Sequence, residues 1–305
     1  MNSIRFLLIA FYFLQSMALG ATQKHYLVLH EFSKTGLFAN VYAVLGLLDY
    51  YEKGKDPDLA GLKVDFGKRG LYYDPDQGTN FWSYYFEPIS ICSDPSALPK
   101  YIQDKRIYGN AHCKDGHASN FCVAGACLSR RRAFELIQKY IKIKPTILEK
   151  VGSFATENFN DKYVIGVHYR GTDKELEVSR VSYEEVVQIL ELHIQKLKNQ
   201  EYVIFIATDE DAFLQHMLNR YTKKIVYAAT LHSNDGVPLH FKNRNNYQKG
   251  EEALIDCLLL SKCNHLIRTT ASALSSCSTC FNPALSTVQV KAKINAWFTP
   301  YSTAR

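Results

Sequence analysis

From Lys162 onward, short apolar runs alternate with longer amphipathic ones, and this rhythm limits the possible folds more than any other feature of the chain. It reads as strand 163–168, helix 182–198, strand 202–207, helix 210–220, strand 224–228, helix 250–261, strand 265–268, helix 271–281 and strand 286–290. The runs Tyr163-Val164-Ile165-Gly166-Val167 and Tyr202-Val203-Ile204-Phe205-Ile206 are apolar at every position, as strands covered on both faces are. Strands joined through helices pair in parallel. The pattern therefore predicts an α/β fold, a parallel sheet with helices on both faces, in the C-terminal half. Ligands of such sheets bind beyond the carboxyl ends of the strands, so the chemistry is to be sought there.

The N-terminal half is less regular. Tyr26-Leu27-Val28-Leu29 reads as a strand that runs through Ser33-Lys34-Thr35-Gly36 into an apolar helix at 39–51, one βα unit. Leu62 to Phe66 reads as a further strand, followed by long loops from Gly67 to Cys127 and a helical stretch at 129–150 broken before Pro145. Residues 1–20 have the layout of an export signal: Arg5, an apolar stretch from Phe6 to Leu14, then small residues up to Gly20. Cleavage there gives an extracytoplasmic chain, and retention would give an anchored one. The apolar stretch is shorter than the ~20 residues of a spanning helix. The expected organisation is a signal at 1–20, an acceptor-side domain at 21–155 and a nucleotide-side domain at 156–305.

Export makes the eight cysteines candidates for disulfides. Cys92, Cys113, Cys122 and Cys127 fall in the loop-rich region, where two local disulfides and free buried thiols are both compatible with their spacing. Cys257 and Cys263 read as core filler, and Cys277 and Cys280 as packing residues or a structural bridge, since no thioredoxin-like strand precedes Cys277-Ser278-Thr279-Cys280 to suggest redox catalysis. A formal charge of +6 without a basic stripe suits a small anionic ligand and argues against nucleic acid.

Three groups stand at predicted strand ends. His168-Tyr169-Arg170-Gly171-Thr172-Asp173-Lys174 places a guanidinium fork where it can bind two phosphate oxygens, although a surface pair of Arg170 with Asp173 would use the same residues. Ala207-Thr208-Asp209-Glu210-Asp211 offers a carboxylate to a ribose or guanine, an Asp-x-Asp metal site through Asp209 and Asp211, or a plain helix cap. Arg268-Thr269-Thr270-Ala271-Ser272 opens a helix whose N–H groups can hold an anion, as any Ser/Thr cap also would. Asp256, set among Leu258, Leu259 and Leu260, needs a partner, since an unpaired buried charge is costly.

Gly166 to Lys174 resembles the donor-binding motif of the α1,6-fucosyltransferases and the related rhizobial nodulation fucosyltransferases. The similarity continues in order through Ile206-Ala207-Thr208-Asp209, Leu239-His240, Asp256 ahead of Leu260 to Leu266, and Thr270-Ala271-Ser272. The resemblance implies a GT-B glycosyltransferase: two Rossmann-like domains facing each other, with metal-independent, inverting transfer of fucose from GDP-fucose to a glycan or glycoconjugate acceptor. GDP-fucose is then the donor substrate, and no cofactor or metal is implied. By the same resemblance Arg170 binds the donor β-phosphate and His168 and Asp256 line the nucleoside pocket. Asp173, Lys174, Asp209, His240 and Ser272 match further donor-binding positions. The family enzymes closest in spelling carry a second arginine where this chain has Gly171.

Inversion requires a base for the acceptor hydroxyl, and Glu177 and Glu175 are the carboxylates nearest the motif. Trp82, Tyr84, Tyr85 and Phe86 can stack on acceptor sugars or fill the core. Competing readings are a metal-dependent glycosyltransferase using Asp209 and Asp211, a non-catalytic GDP-sugar or glycan-binding protein, and, last, a phosphatase using His168 or Arg170.

Overall fold

The computed structural model describes residues 22–31, 35–102, 128–171, 179–228, 245–269 and 272–290, with the backbone alone at 122–123 and 126–127. The candidate signal at 1–20 lies outside the described residues, and no described helix is long and apolar enough to cross a membrane.

The N-terminal elements are β1 (His25–Leu29), α1 (Leu37–Glu52), β2 (Leu59–Val64), α2 (Trp82–Tyr85), β3 (Ser90–Cys92), β4 (Leu98–Ile102), the hairpin β5 (Cys122–Val123) and β6 (Ala126–Cys127), α3 (Arg130–Tyr140) and α4 (Pro145–Asn158). There follow β7 (Tyr163–Tyr169), α5 (Tyr183–Leu197), β8 (Tyr202–Thr208), α6 (Asp211–Tyr221), β9 (Ile225–Val226), α7 (Asn246–Ser261), β10 (His265–Thr269), α8 (Ala273–Phe281) and β11 (Ser286–Val290). They build two sheets, one ordered β3-β2-β1-β4 and one ordered β11-β10-β7-β8-β9. The second sheet is parallel throughout.

Its two faces divide the apolar residues by strand parity. Ile165, Val167, Ile204, Ile206 and Ile267 face Val187 and Leu190 of α5 and Phe213 and Met217 of α6. Val164, Phe205, Ala207 and Leu266 lie on the opposite face. There they join Leu254 and Leu259 of α7, Cys277 of α8 and, without a break, Leu29, Val44 and Trp82 of the N-terminal half. Helices cover both faces, as the apolar strands predict.

The differences from the sequence reading have local causes. The expected strand from Leu62 to Phe66 starts three residues earlier and ends two earlier, at Val64, where Asn80 Oδ1 takes the Phe66 N–H at 3.0 Å and draws it out of the ladder. The stretch at 129–150 breaks before Pro145 as expected, but its second helix, opened by that proline, whose fixed φ and missing N–H suit a first turn, runs on to Asn158. Helix α7 starts at Asn246 rather than at 250, since the Asn245 side chain caps Gln248 N at 2.9 Å. Trp82, Tyr84, Tyr85 and Phe86 are buried. Trp82 stacks on Phe86 and donates its indole N–H to the Glu87 carbonyl, so these four aromatics are core and offer no sugar platform.

The packing reading of Cys257, Cys263, Cys277 and Cys280 holds, for all four are buried and unpaired. Cys92 is an exposed free thiol bonded to the Asp94 carbonyl, so two disulfides do not form among Cys92, Cys113, Cys122 and Cys127. The backbones of Cys122 and Cys127 are paired across the β5–β6 hairpin. Cys113 lies outside the described residues.

The amino end of the larger sheet carries an acid-sensitive pair. His193 and His265 stack at 3.8 Å, with His265 Nδ1 on Ser286 Oγ and the Tyr163 hydroxyl on His193 Nε2. Burial, reinforced by His193 and Lys196, depresses the His265 pKa from 6.5 to about 4. The folded state therefore excludes a proton that the unfolded chain accepts. Its stability contribution is complete above pH 6.5 and is lost as pH falls from there to about 4. Melting temperatures measured from pH 7.5 to 4 should fall across this window, and His265→Gln should flatten the fall. An unchanged slope in the variant would place the acid sensitivity elsewhere.

Candidate functional site

The site starts from β7, which is buried from Val164 to Tyr169, carries His168 near its carboxyl end and is followed directly by Arg170. His168 is paired in register with Ala207 of β8 and Arg268 of β10. The ring is 4% exposed, and its Nδ1 has no hydrogen-bond partner among the described residues. Burial, with Arg170 and Arg268 nearby, pushes its pKa down to about 3, so the imidazole is neutral at physiological pH.

Asp256 belongs to α7. A Cβ on Gly166 would lie 2.8 Å from Cys263 Sγ and 3.2 Å from Leu260 Cδ2, so α7 rests directly on β7 at that glycine. Asp256 stands one turn before Leu260 in that helix. It too is buried, with Oδ1 unpartnered among the described residues; burial, together with Glu252, pushes its pKa well above the usual carboxylate range.

Arg170 is held at its backbone and at its guanidinium, and Asp209 also ties down the next residue. Its N–H donates to Thr269 Oγ1 at 3.1 Å, its Nε pairs with Asp209 Oδ2 at 3.1 Å, and the other Asp209 oxygen accepts the Gly171 N–H at 3.1 Å. Asp173, weighed from sequence as a partner of Arg170, lies outside the described residues. Asp209 is 6% exposed and does not cap α6; the cap position belongs to Glu210. Asp211 lies in the first turn of that helix. Ser272 is buried at the cap of α8 and makes no side-chain cap bond, so it stands at an open helix start.

Glu210, Arg180 and Tyr183 escaped the sequence reading. One carboxylate oxygen of Glu210 accepts hydrogen bonds from the Arg180 guanidinium and the Tyr183 hydroxyl. The consecutive residues Asp209 and Glu210 thus hold Gly171 and Arg180, the two sides of the stretch 172–178. The second acidic residue after a strand was the available signal. Glu210 also accounts for Gly171, because a Cβ there would lie 1.8 Å from Glu210 Oε2 and 2.8 Å from Tyr169 Cε1. A second arginine at 171 would have to displace the Glu210 carboxylate. Asp173, Lys174, Glu175 and Glu177 fall within 172–178 and His240 within 229–244, outside the described residues.

Residues 135–282, a little under half of the chain, match the family model of the alpha-(1,6)-fucosyltransferase N- and catalytic domains. The fold is similar to the NodZ alpha-1,6-fucosyltransferase in a crystal soaked with GDP-fucose, with TM-score 0.56, 17% identity, and coverage of 86% of this chain and 94% of that one. A NodZ fucosyltransferase from Bradyrhizobium aligns with TM-score 0.55 at 17% identity, covering 88% and 95% of the two chains. POFUT1 in complex with GDP gives 0.50 at 12% identity, covering 89% and 99%. No curated protein matches by sequence. At these identities the structural likenesses speak for the fold, and the family model speaks for the matched residues. The chain therefore has the GT-B fold of these fucosyltransferases, and its residues 135–282 match the fucosyltransferase family model.

Proposed function

We propose that the chain transfers fucose from GDP-fucose to a hydroxyl of a glycan or glycoconjugate, with inversion and without a metal ion. The observation that carries this reading is that two polar atoms, His168 Nδ1 on β7 and Asp256 Oδ1 on the helix packed against it, are buried with no partner among the described residues. A guanine edge satisfies both. Its adjacent N1–H and N2–H donors suit a carboxylate, and its O6 and N7 acceptors suit an imidazole N–H. Adenine and uracil lack two adjacent donors that a carboxylate could accept together. GDP and GDP-fucose are the ligands of the structurally similar NodZ and POFUT1, which supports the same donor here.

Cleavage of the fucosyl–phosphate bond leaves negative charge on the diphosphate. Arg170, aimed by Asp209, and the first N–H groups of α8 after Ser272 would stabilise it. Both Asp209 oxygens are engaged by Arg170 and Gly171, which favours this role over an Asp209–Asp211 metal site. Asp173, Lys174 and His240 are assigned further donor contacts, Glu177 or Glu175 accepts the acceptor proton, and the acceptor is held by the N-terminal half. Release of GDP from GDP-fucose, followed with and without EDTA, tests the assignment. Turnover should be equal in both. Loss in EDTA would favour the metal-dependent enzyme, and binding without turnover the non-catalytic protein.

A further inference from the structure

With Trp82, Tyr84, Tyr85 and Phe86 in the core, a different set of residues presents an aromatic face at the end of the smaller sheet. Three residues share one face of adjacent parallel strands: Asp65 just past β2, His30 just past β1, and Tyr101, the penultimate residue of β4, paired in register with Val28. Strand parity separates them from the core, since Leu29, Val64 and Ile102 point the other way into the shared apolar cluster. Tyr101 stacks on His30 with ring centroids 5.4 Å apart and planes 3° from parallel. One ring face is thereby occupied, yet Tyr101 remains 57% exposed.

The His30 ring is held by a hydrogen bond between Nδ1 and the Asp65 carbonyl at 2.8 Å. A carbonyl can only accept, so Nδ1 carries the proton and, in the neutral ring, Nε2 is the accepting nitrogen. The Asp65 carboxylate, paired through Oδ2 with Lys63 at 3.3 Å, adds a charged acceptor and a donor at the same edge. A flat, exposed aromatic ring flanked by an imidazole acceptor and an ion pair suits a sugar ring. The apolar C–H face of a pyranose lies on the ring, while its hydroxyls find acceptors and a donor at the rim.

We propose that Tyr101, His30 and Asp65 form the subsite that binds a pyranose ring of the acceptor, with a sugar hydroxyl donating to His30 Nε2. The proposal rests on the fucosyl-transfer reading above and deepens it by naming where the acceptor glycan sits. The role is binding, and the proton is left to the base. Replacing Tyr101 removes an exposed side chain, so the fold does not depend on it.

Saturation-transfer NMR on the full chain with saturating GDP tests the proposal, using disaccharides of glucose, galactose, mannose and N-acetylglucosamine as probes and a GDP thermal shift on every protein. At least one disaccharide should receive saturation from the parent chain. Transfer should fall by about fivefold or more in Tyr101→Ala and His30→Ala and be retained in Tyr101→Phe, with the GDP shift unchanged throughout. Equal transfer in Tyr101→Ala and the parent, or none to any disaccharide from the parent, overturns the subsite. Absence of a GDP shift in the parent chain overturns the fucosyl-transfer reading instead, whatever the sugars do.

Discussion

Arg170→Lys is expected to lower fucosyl transfer by about 10²–10³-fold, the loss that follows removal of one oxyanion donor from a preorganised site. Lysine keeps the charge but not the planar fork. In the structure Asp209 Oδ2 grips Nε, so the guanidinium is oriented from one edge, an arrangement that a single ammonium cannot reproduce. GDP affinity should fall with the rate, because the β-phosphate contact is lost in ground and transition states alike. Guanosine affinity should change little, since His168 and Asp256 are untouched. Isothermal titration with both ligands separates the two effects, and equal weakening of GDP and guanosine would assign Arg170 to the nucleoside or to the fold.

A loss of about 10²–10⁴-fold in turnover is expected from Glu177→Gln or Glu175→Gln, whichever residue accepts the acceptor proton. Glutamine keeps size and polarity but cannot take the proton. GDP binding should be nearly unchanged, so the loss falls on turnover. Steady-state rates paired with GDP titrations for both variants identify the residue. Full activity in each would move the base to the N-terminal half.

The C-terminal sheet was legible because its two central runs, 163–167 and 202–206, are apolar at every position and its strands alternate regularly with helices. Each of its predicted strands and helices is present, with boundaries moved by local bonds such as the Asn245 cap. The N-terminal sheet was harder to read. Strand β4, Leu98-Pro99-Lys100-Tyr101-Ile102, is exposed at four of five positions and contains a proline, so neither alternation nor apolarity marked it. Its pairing with β1 is a long-range fact that no local pattern carries.

The site divides in the same way. His168, Arg170 and Asp209 were visible as strand-end residues of a motif. The packing of α7, which carries Asp256, on β7 depends on the close approach that Gly166 permits, which one position in a sequence cannot announce. The reason for Gly171, the neighbouring Glu210 carboxylate, lies 39 residues further along the chain and likewise appears only in the fold.

The most direct test of the account is a thermal-shift comparison of GDP, UDP and ADP on the full chain, each with and without EDTA. A guanine-selective, metal-independent donor site predicts that GDP at about 100 times its dissociation constant adds about 2.7 kcal/mol of stability, unchanged by EDTA. UDP and ADP at the same concentration should add almost nothing. Equal shifts from all three nucleotides, or a GDP shift that disappears with EDTA, would contradict the roles given to Asp256 and Asp209.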